Sequence, residues 1–272
     1  MKKILILNDI HHGETRESST HPGEIRQANS QALATLSGYL NSFNSKDYDC
    51  VINLGDAIRD TNNKAADLVM LEEFMMVFEK INGNKFFVPG NHELKTLTND
   101  EICSLAIKYN VSSLTPQIFE LENTQIILIN GDIDENSLSK IPEENIAWIE
   151  KNVSYDKQLI LLSHYSLVEL DGYANFYFAN DYKHMSYTNG NKLLNVLKRL
   201  PKVASINAHT HMGSYKRVSN VCAISALAFS ENIVAMQHPD ANPGIFSEIW
   251  IDEEKIFFKS FSGKYCFLSI EL

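Results

Sequence analysis

Apolar residues along this chain fall into short runs that stop abruptly at polar ones. Residues 2–8, KKILILN, hold four apolar side chains in a row and then meet Asn8-Asp9. Residues 49–55, DCVINLG, do the same before Asp56, and 85–89, KFFVP, before Gly90-Asn91-His92-Glu93. Two further runs, 157–163 (KQLILLS) and 202–208 (KVASINA), stop at His164 and at His209-Thr210-His211. Short apolar runs bounded this sharply predict buried strands.

Between them the spacing changes to that of helices. Leu33, Leu36, Leu40 and Phe43 predict an amphipathic helix over 24–43, and a second helix over 64–81 ends near Gly83. Thr98 followed by Glu101 supplies a capping sequence for a helix over 98–109. Pro142 stands near the first turn of one over 142–152. Another helix is predicted over 190–200, and 117–131 reads as a hairpin turning at Glu122-Asn123. The tail runs apolar or alternates at 215–228, 245–251, 255–261 and 264–270, which predicts strands throughout. An alternating β–α half followed by a β-rich half predicts an α/β fold: a four-layer α-β-β-α sandwich of two mixed sheets flanked by helices.

No repeat, low-complexity tract or Gly/Ser linker interrupts the 272 residues, so a single domain over 1–272 is expected. One stretch is irregular. Residues 165–187, YSLVELDGYANFYFANDYKHMSY, carry seven aromatics with weak periodicity. They read as an insertion packing on the domain or on a partner subunit, with a lid or side wall of a pocket as the alternative. The loop at 237–245 is a candidate border of the same crevice.

Formal net charge is −10 and there is no Lys/Arg-rich run, which argues against nucleic acid as a partner. A small anionic substrate stays open, because a metal can supply positive charge locally. Cys50, Cys103, Cys222 and Cys266 stand far apart without a C-x-x-C pair, as expected of free thiols in a reducing compartment. At the N-terminus only Ile4 to Leu7 are apolar before Asn8, too few for a signal peptide. No apolar segment approaches the roughly 18 residues that a membrane span needs. A cytoplasmic protein with no membrane association is expected, and homo-oligomerisation is left open.

The polar residues at the ends of the five strands share one competence. Loops at the carboxyl ends of strands form the binding crevice of open α/β sheets. Asp9, His11, Asp56, Asn91, His164, His209 and His211 would therefore meet at one place. Carboxylate, amide and imidazole donors suit Mn, Fe, Zn, Ni or Co. Seven donors exceed the needs of one ion, so two are implied, with one carboxylate bridging. Two divalent ions carry four positive charges, of which Asp9 and Asp56 return two, leaving charge to hold a phosphate oxygen and a hydroxide. Ions about 3.5–4 Å apart clamp the attacking and leaving oxygens of an in-line displacement.

The ordered set D-x-H (Asp9, His11), G-D (Gly55, Asp56), G-N-H-E (Gly90 to Glu93), a lone histidine after a strand (His164) and H-x-H (His209, His211) resembles the calcineurin-like metallophosphoesterase family. The resemblance implies that Asp9, His11, Asp56 and His211 hold one metal. Asp56, Asn91, His164 and His209 hold the other, with Asp56 bridging. The ions would be divalent or of mixed valence, drawn from Mn, Fe, Zn or Ni. It further implies a substrate-binding role for Asn91 and His92, with His92 stabilising phosphoryl oxygens or acting as general acid. Glu93 is then expected to orient His92 and raise its basicity. The short chain resembles the subgroup that cleaves cyclic nucleotides or glycerophosphodiesters. A small phosphodiester is the first expectation for the substrate, cleaved by attack of a metal-bound hydroxide, and a phosphomonoester such as a nucleotide is the second. A non-catalytic scaffold and a nuclease of the same superfamily are the rival readings.

The chain departs from the family pattern in two places. Ala208 stands where glycine usually precedes H-x-H, a change that matters only if that residue needs a positive φ. Arg59 occupies the usual acidic position three after the bridging Asp56, with Asp60 one place later. Arg59 reads as a surface arginine, with a phosphate contact as the alternative. His12, His21, His184 and His238 match no family position and read as surface or packing residues, His184 being kept as a pocket candidate.

Overall fold

The computed structural model describes the chain except residues 14–15, 18–24, 27–29, 135, 137, 171–177, 179–181, 231–243, 253–254 and 264. The strand Lys2–Leu7 shows how its layers arise. Successive side chains of a strand point to opposite faces. Leu5 and Leu7 enter a core shared with the helices Ala32–Asn44 and Lys64–Phe78, through Leu36, Phe43, Leu71, Phe74 and Phe78. Ile4 and Ile6 enter a second core between two sheets. The second sheet repeats the division. Ile126, Leu128, Ile160 and Leu162 face the first sheet, while Ile127, Ile129, Leu159 and Leu161 pack under the helices Glu143–Asn152 and Gly190–Leu197. Full burial of each such side chain contributes roughly 1.5–3 kcal/mol. The result is the expected four-layer sandwich.

The first sheet runs in the order Tyr265–Glu271, Ile256–Ser262, Phe246–Ile251, Lys2–Leu7, Cys50–Asn53, Asn84–Phe87, Val111–Ser112. Its last four strands are mutually parallel, and the tail strands pair antiparallel. The second runs Ser214–Val218, Val221–Ser225, Val203–Asn207, Gln158–Ser163, Thr124–Ile129, Gln117–Leu121, parallel at its centre with an antiparallel strand at each edge.

Several expectations shift in detail. The helix expected over 24–43 begins at Ala32, and Ile25–Arg26 instead pairs as a short strand with Arg16–Glu17. The apolar spacing starts only at Leu33, so nothing upstream gives a helix a face to bury. The helix at Asn99–Lys108 starts with the expected capping box, Thr98 Oγ1 accepting from Glu101 N and Glu101 Oε2 from Thr98 N. The 117–131 hairpin turns at Glu122, whose φ is 54°. Of the aromatic segment, Tyr165 and Tyr187 are buried with ring centroids 5.5 Å apart, and Tyr182–His184 forms one 3-10 turn. His21, His238 and most of 237–245 lie outside the described residues. All four cysteines are free, and among the described residues no helix is long and apolar enough to cross a membrane.

Candidate metal centre

The five strand ends come from both sheets and meet at one edge of the sandwich. Backbone bonds lace them together: Asp9 N donates to Gly55 O at 3.0 Å, His11 N to Asp56 O at 2.9 Å, and Ala208 N to His164 O at 3.0 Å. His209 N reaches the Asp9 carboxylate at 3.2 Å, tying one sheet to the other. Asp9, His11, Asp56, His209 and His211 all have positive φ, between 49° and 70°. That conformation costs a non-glycine residue of order 1–2 kcal/mol, so the surrounding packing imposes it. Ala208 is not among them, which is why alanine serves where glycine is usual. Gly55 and Gly90 let the loops close: a Cβ on Gly55 would lie 2.5 Å from Gly90 N, and one on Gly90 2.5 Å from Asp56 N.

The side chains then converge in two groups. Asp9, His11, Asp56 and His211 offer ligand atoms within 4.8 Å of one another, and so do Asp56, His164 and His209. Asp56 belongs to both. Nε2 of His11 and Nε2 of His211 face each other at 3.0 Å, and Asn91 Oδ1 lies 3.1 Å from His164 Nε2, beside the second group. Tautomers follow from the partners. His164 Nδ1 lies 2.7 Å from the carbonyl of Leu54 and His209 Nε2 lies 2.9 Å from that of His184. A carbonyl only accepts, so these nitrogens donate, which leaves the other ring nitrogen of each available to a metal. His184 therefore contributes through its backbone, from within the aromatic segment.

The donor set fits divalent ions of the Mn, Fe, Zn and Ni kind. The electrostatics agree. Burial opposes ionisation of Asp56, yet the charges of His164 and His92 hold its carboxyl well below the usual range. Burial likewise disfavours an imidazolium at His164, but Asp56 lifts that histidine to about 9. His209 is pushed down to about 3, by burial and then by His164. Buried carboxylates that draw a proton onto an equally buried imidazole make a field that favours cations.

Two residues depart from their expected roles. Glu93 does not orient His92. Its carboxylate accepts from the backbone of Asp56 (2.9 Å), Ile58 (3.1 Å) and Gly90 (2.8 Å). It stands third in the one-turn helix Asn91–Leu94, where a glutamate reaches back to the residue before the helix. The carboxylate on His92 is that of Asp60, 2.5 Å from Nδ1, whose other oxygen meets Lys95 at 2.8 Å. Asp60 is 5% exposed; burial opposes its charge, but the bonds to His92 and Lys95 hold its pKa far below normal. Arg59 is no bystander either, with Nη1 lying 3.1 Å from His92 Nε2. The only sequence signal for this pair is their place directly after the Asp56 turn.

A cavity of about 570 Å³ opens beside the centre. Asp56, Asn91 and His92 line it together with the apolar Leu94, Ile133, Tyr165 and Phe178, and its charged lining includes Lys95, Asp60 and Asp134.

Comparison with known proteins returns the same picture. A search of curated proteins gives no match. Among solved structures, a dimetal phosphatase from Danio rerio superposes with a TM-score of 0.76 at 14% identity, covering 99% of this chain and 98% of that one. The purple acid phosphatase PPD1 of yellow lupin (Lupinus luteus) gives 0.66 at 13% identity, covering 99% of this chain and 53% of that one. At such identities these likenesses speak to the fold. The family model for calcineurin-like phosphoesterase matches residues 2–213, the span from the first strand through both histidines of the last motif. The chain belongs to the calcineurin-like phosphoesterase family and is a metal-dependent phosphoesterase.

Proposed function

We propose that the protein hydrolyses a small phosphodiester at a dinuclear centre, with Asp9, His11, Asp56 and His211 holding one ion and Asp56, Asn91, His164 and His209 the other. The sharing of Asp56 between two buried ligand groups carries this reading. Bound ions of this kind supply Lewis acidity and lower the pKa of water toward about 7. The chain's own residues do the rest. Glu93 fixes the Asp56 and Gly90 turns through the backbone. Asn91 and His92 face the cavity at the mouth of the centre. His92, oriented by Asp60 at Nδ1, presents Nε2 toward Asp56 at 3.9 Å, where it meets a phosphoryl oxygen or delivers a proton to the leaving alkoxide.

The apolar lining favours a diester, since it covers a second organic arm. The alternative is a phosphomonoester such as a nucleotide, favoured by Lys95, whose ammonium would meet the extra charge of a terminal phosphate. Action in the cytoplasm on a small phosphorylated molecule, rather than on nucleic acid, belongs to the same proposal; the free cysteines and the net charge of −10 support it. The test is turnover of bis(p-nitrophenyl) phosphate against p-nitrophenyl phosphate by purified protein with Mn²⁺. Chelator-sensitive hydrolysis with the diester preferred is expected. No turnover of either with Mn, Fe, Zn or Ni would overturn the proposal.

A further inference from the structure

Asp67 is fully buried near the start of the helix Lys64–Phe78, yet it belongs to neither metal ligand group and is not among the residues lining the cavity. Its carboxyl group binds two loops at once. Oδ1 accepts from Thr61 N at 2.8 Å and from Thr61 Oγ1 at 2.7 Å, and Oδ2 accepts from Thr96 Oγ1 at 2.6 Å. Thr61 directly follows Asp60, and Thr96 directly follows Lys95. Those two predecessors are the pair that meets at 2.8 Å, and Asp60 is the carboxylate 2.5 Å from His92 Nδ1.

We propose that Asp67 is a positioning residue for His92: from beneath the site it fixes the loops that carry Asp60 and Lys95, and so holds the Asp60 carboxylate within reach of the imidazole. The inference rests on the phosphoesterase reading above. Three observations support it. The base is rigid, because Leu71, Phe74 and Phe78 anchor the helix in the core and Asn63 Oδ1 caps it through the N–H groups of Ala65 and Ala66. The other bonds of the two threonines are long: Thr61 Oγ1 reaches Asn63 O at 3.4 Å, and Thr96 N reaches Glu93 O at 3.4 Å. The firm contacts are therefore those to Asp67. Finally, the side chain of Lys95 is half exposed, and an ion pair with such a partner fixes little by itself. Something buried has to set where Asp60 stands, and Asp67 is one residue away from it through Thr61.

The test is a double-mutant cycle in which kcat/KM for bis(p-nitrophenyl) phosphate is measured on Mn²⁺-loaded wild type, D60N, D67A and D60N/D67A, beside metal content and urea midpoint. D67A should lower kcat/KM roughly fivefold at unchanged metal content, less than the 10–100-fold typical of a direct orienting partner. Because Asp67 acts through Asp60, adding D67A to D60N should change kcat/KM by less than about twofold. Losses that multiply would overturn the assignment. So would a D67A enzyme with a lower urea midpoint but wild-type kcat/KM, since a purely structural carboxyl group behaves that way. A drop in metal content in D67A would place its effect at the ligands and overturn it too. Should D67A not fold, the same cycle with T96V, which removes only the Thr96 hydroxyl from Oδ2, decides. Absence of turnover by the wild type with Mn, Fe, Zn or Ni would overturn the phosphoesterase reading and this inference with it.

Discussion

Nδ1 of His92 lies 2.5 Å from Oδ1 of Asp60, while the carboxylate of Glu93, its immediate neighbour in the chain, turns away to three backbone N–H groups. Two acids that look interchangeable in the sequence therefore do different work, and their variants should part. D60N should fold normally and lower turnover of an alkyl phosphodiester by about 10–100-fold, as loss of an orienting partner does. The effect on p-nitrophenyl esters should be smaller, because their leaving group needs little protonation. E93A should instead lower the urea midpoint. It leaves buried N–H groups without an acceptor, at about 1–3 kcal/mol each. Equal effects of both variants on stability would contradict this division.

Asp56 belongs to both ligand groups, so on the dinuclear reading its loss should be felt at both. D56N is expected to bind metal at least about tenfold more weakly and to lose most of its activity. Metal analysis after dialysis, read beside turnover, checks this. A scaffold would keep its partner binding in D56N, which separates that reading from an enzyme.

Gly90 has a φ of −98°, open to any residue, so only crowding explains a glycine there. A Cβ would press on Asp56 N at 2.5 Å and on the His164 ring at 2.8 Å. G90A should cost about 1–3 kcal/mol as overpacking does, and should weaken metal binding. Gly263 is the opposite case, with φ +54° and nothing within 4 Å of an added Cβ. G263A should cost about 1 kcal/mol and leave metal content untouched. Urea titrations of the two variants, with metal analysis, make the comparison.

Far from the centre, Glu248 is buried and accepts from Lys46 Nζ (2.7 Å), Tyr48 OH (2.5 Å) and Trp250 Nε1 (2.9 Å). Burial opposes its charge, but the bonds from Lys46 and Tyr48 bring its pKa below the ordinary 4.5. The folded state therefore binds this proton less tightly than the unfolded one. The stabilisation is complete above the unfolded value and is lost as pH falls through the lower folded value. E248Q should accordingly flatten the acid limb of a stability–pH curve while lowering the midpoint at pH 7. An acid limb unchanged from the wild type would exclude Glu248 as its source.

The sequence by itself determined the strands, the helices and the kind of chemistry at their ends. A run such as Ile4 to Leu7 must be covered on both faces, and polar residues that close five such runs must lie near strand ends. Donor type alone then narrows the partner to metal ions. The fold decided what no local pattern carries. It set the start of the first helix at Ala32, gave the His92 carboxylate to Asp60 rather than Glu93, placed Arg59 on the same ring, and used the carbonyl of His184 to fix His209. These are contacts between loops 25 or more residues apart in sequence, or choices between adjacent side chains. Periodicity reports which face a residue occupies; which neighbour it meets there depends on how the two sheets stack and where their loops cross.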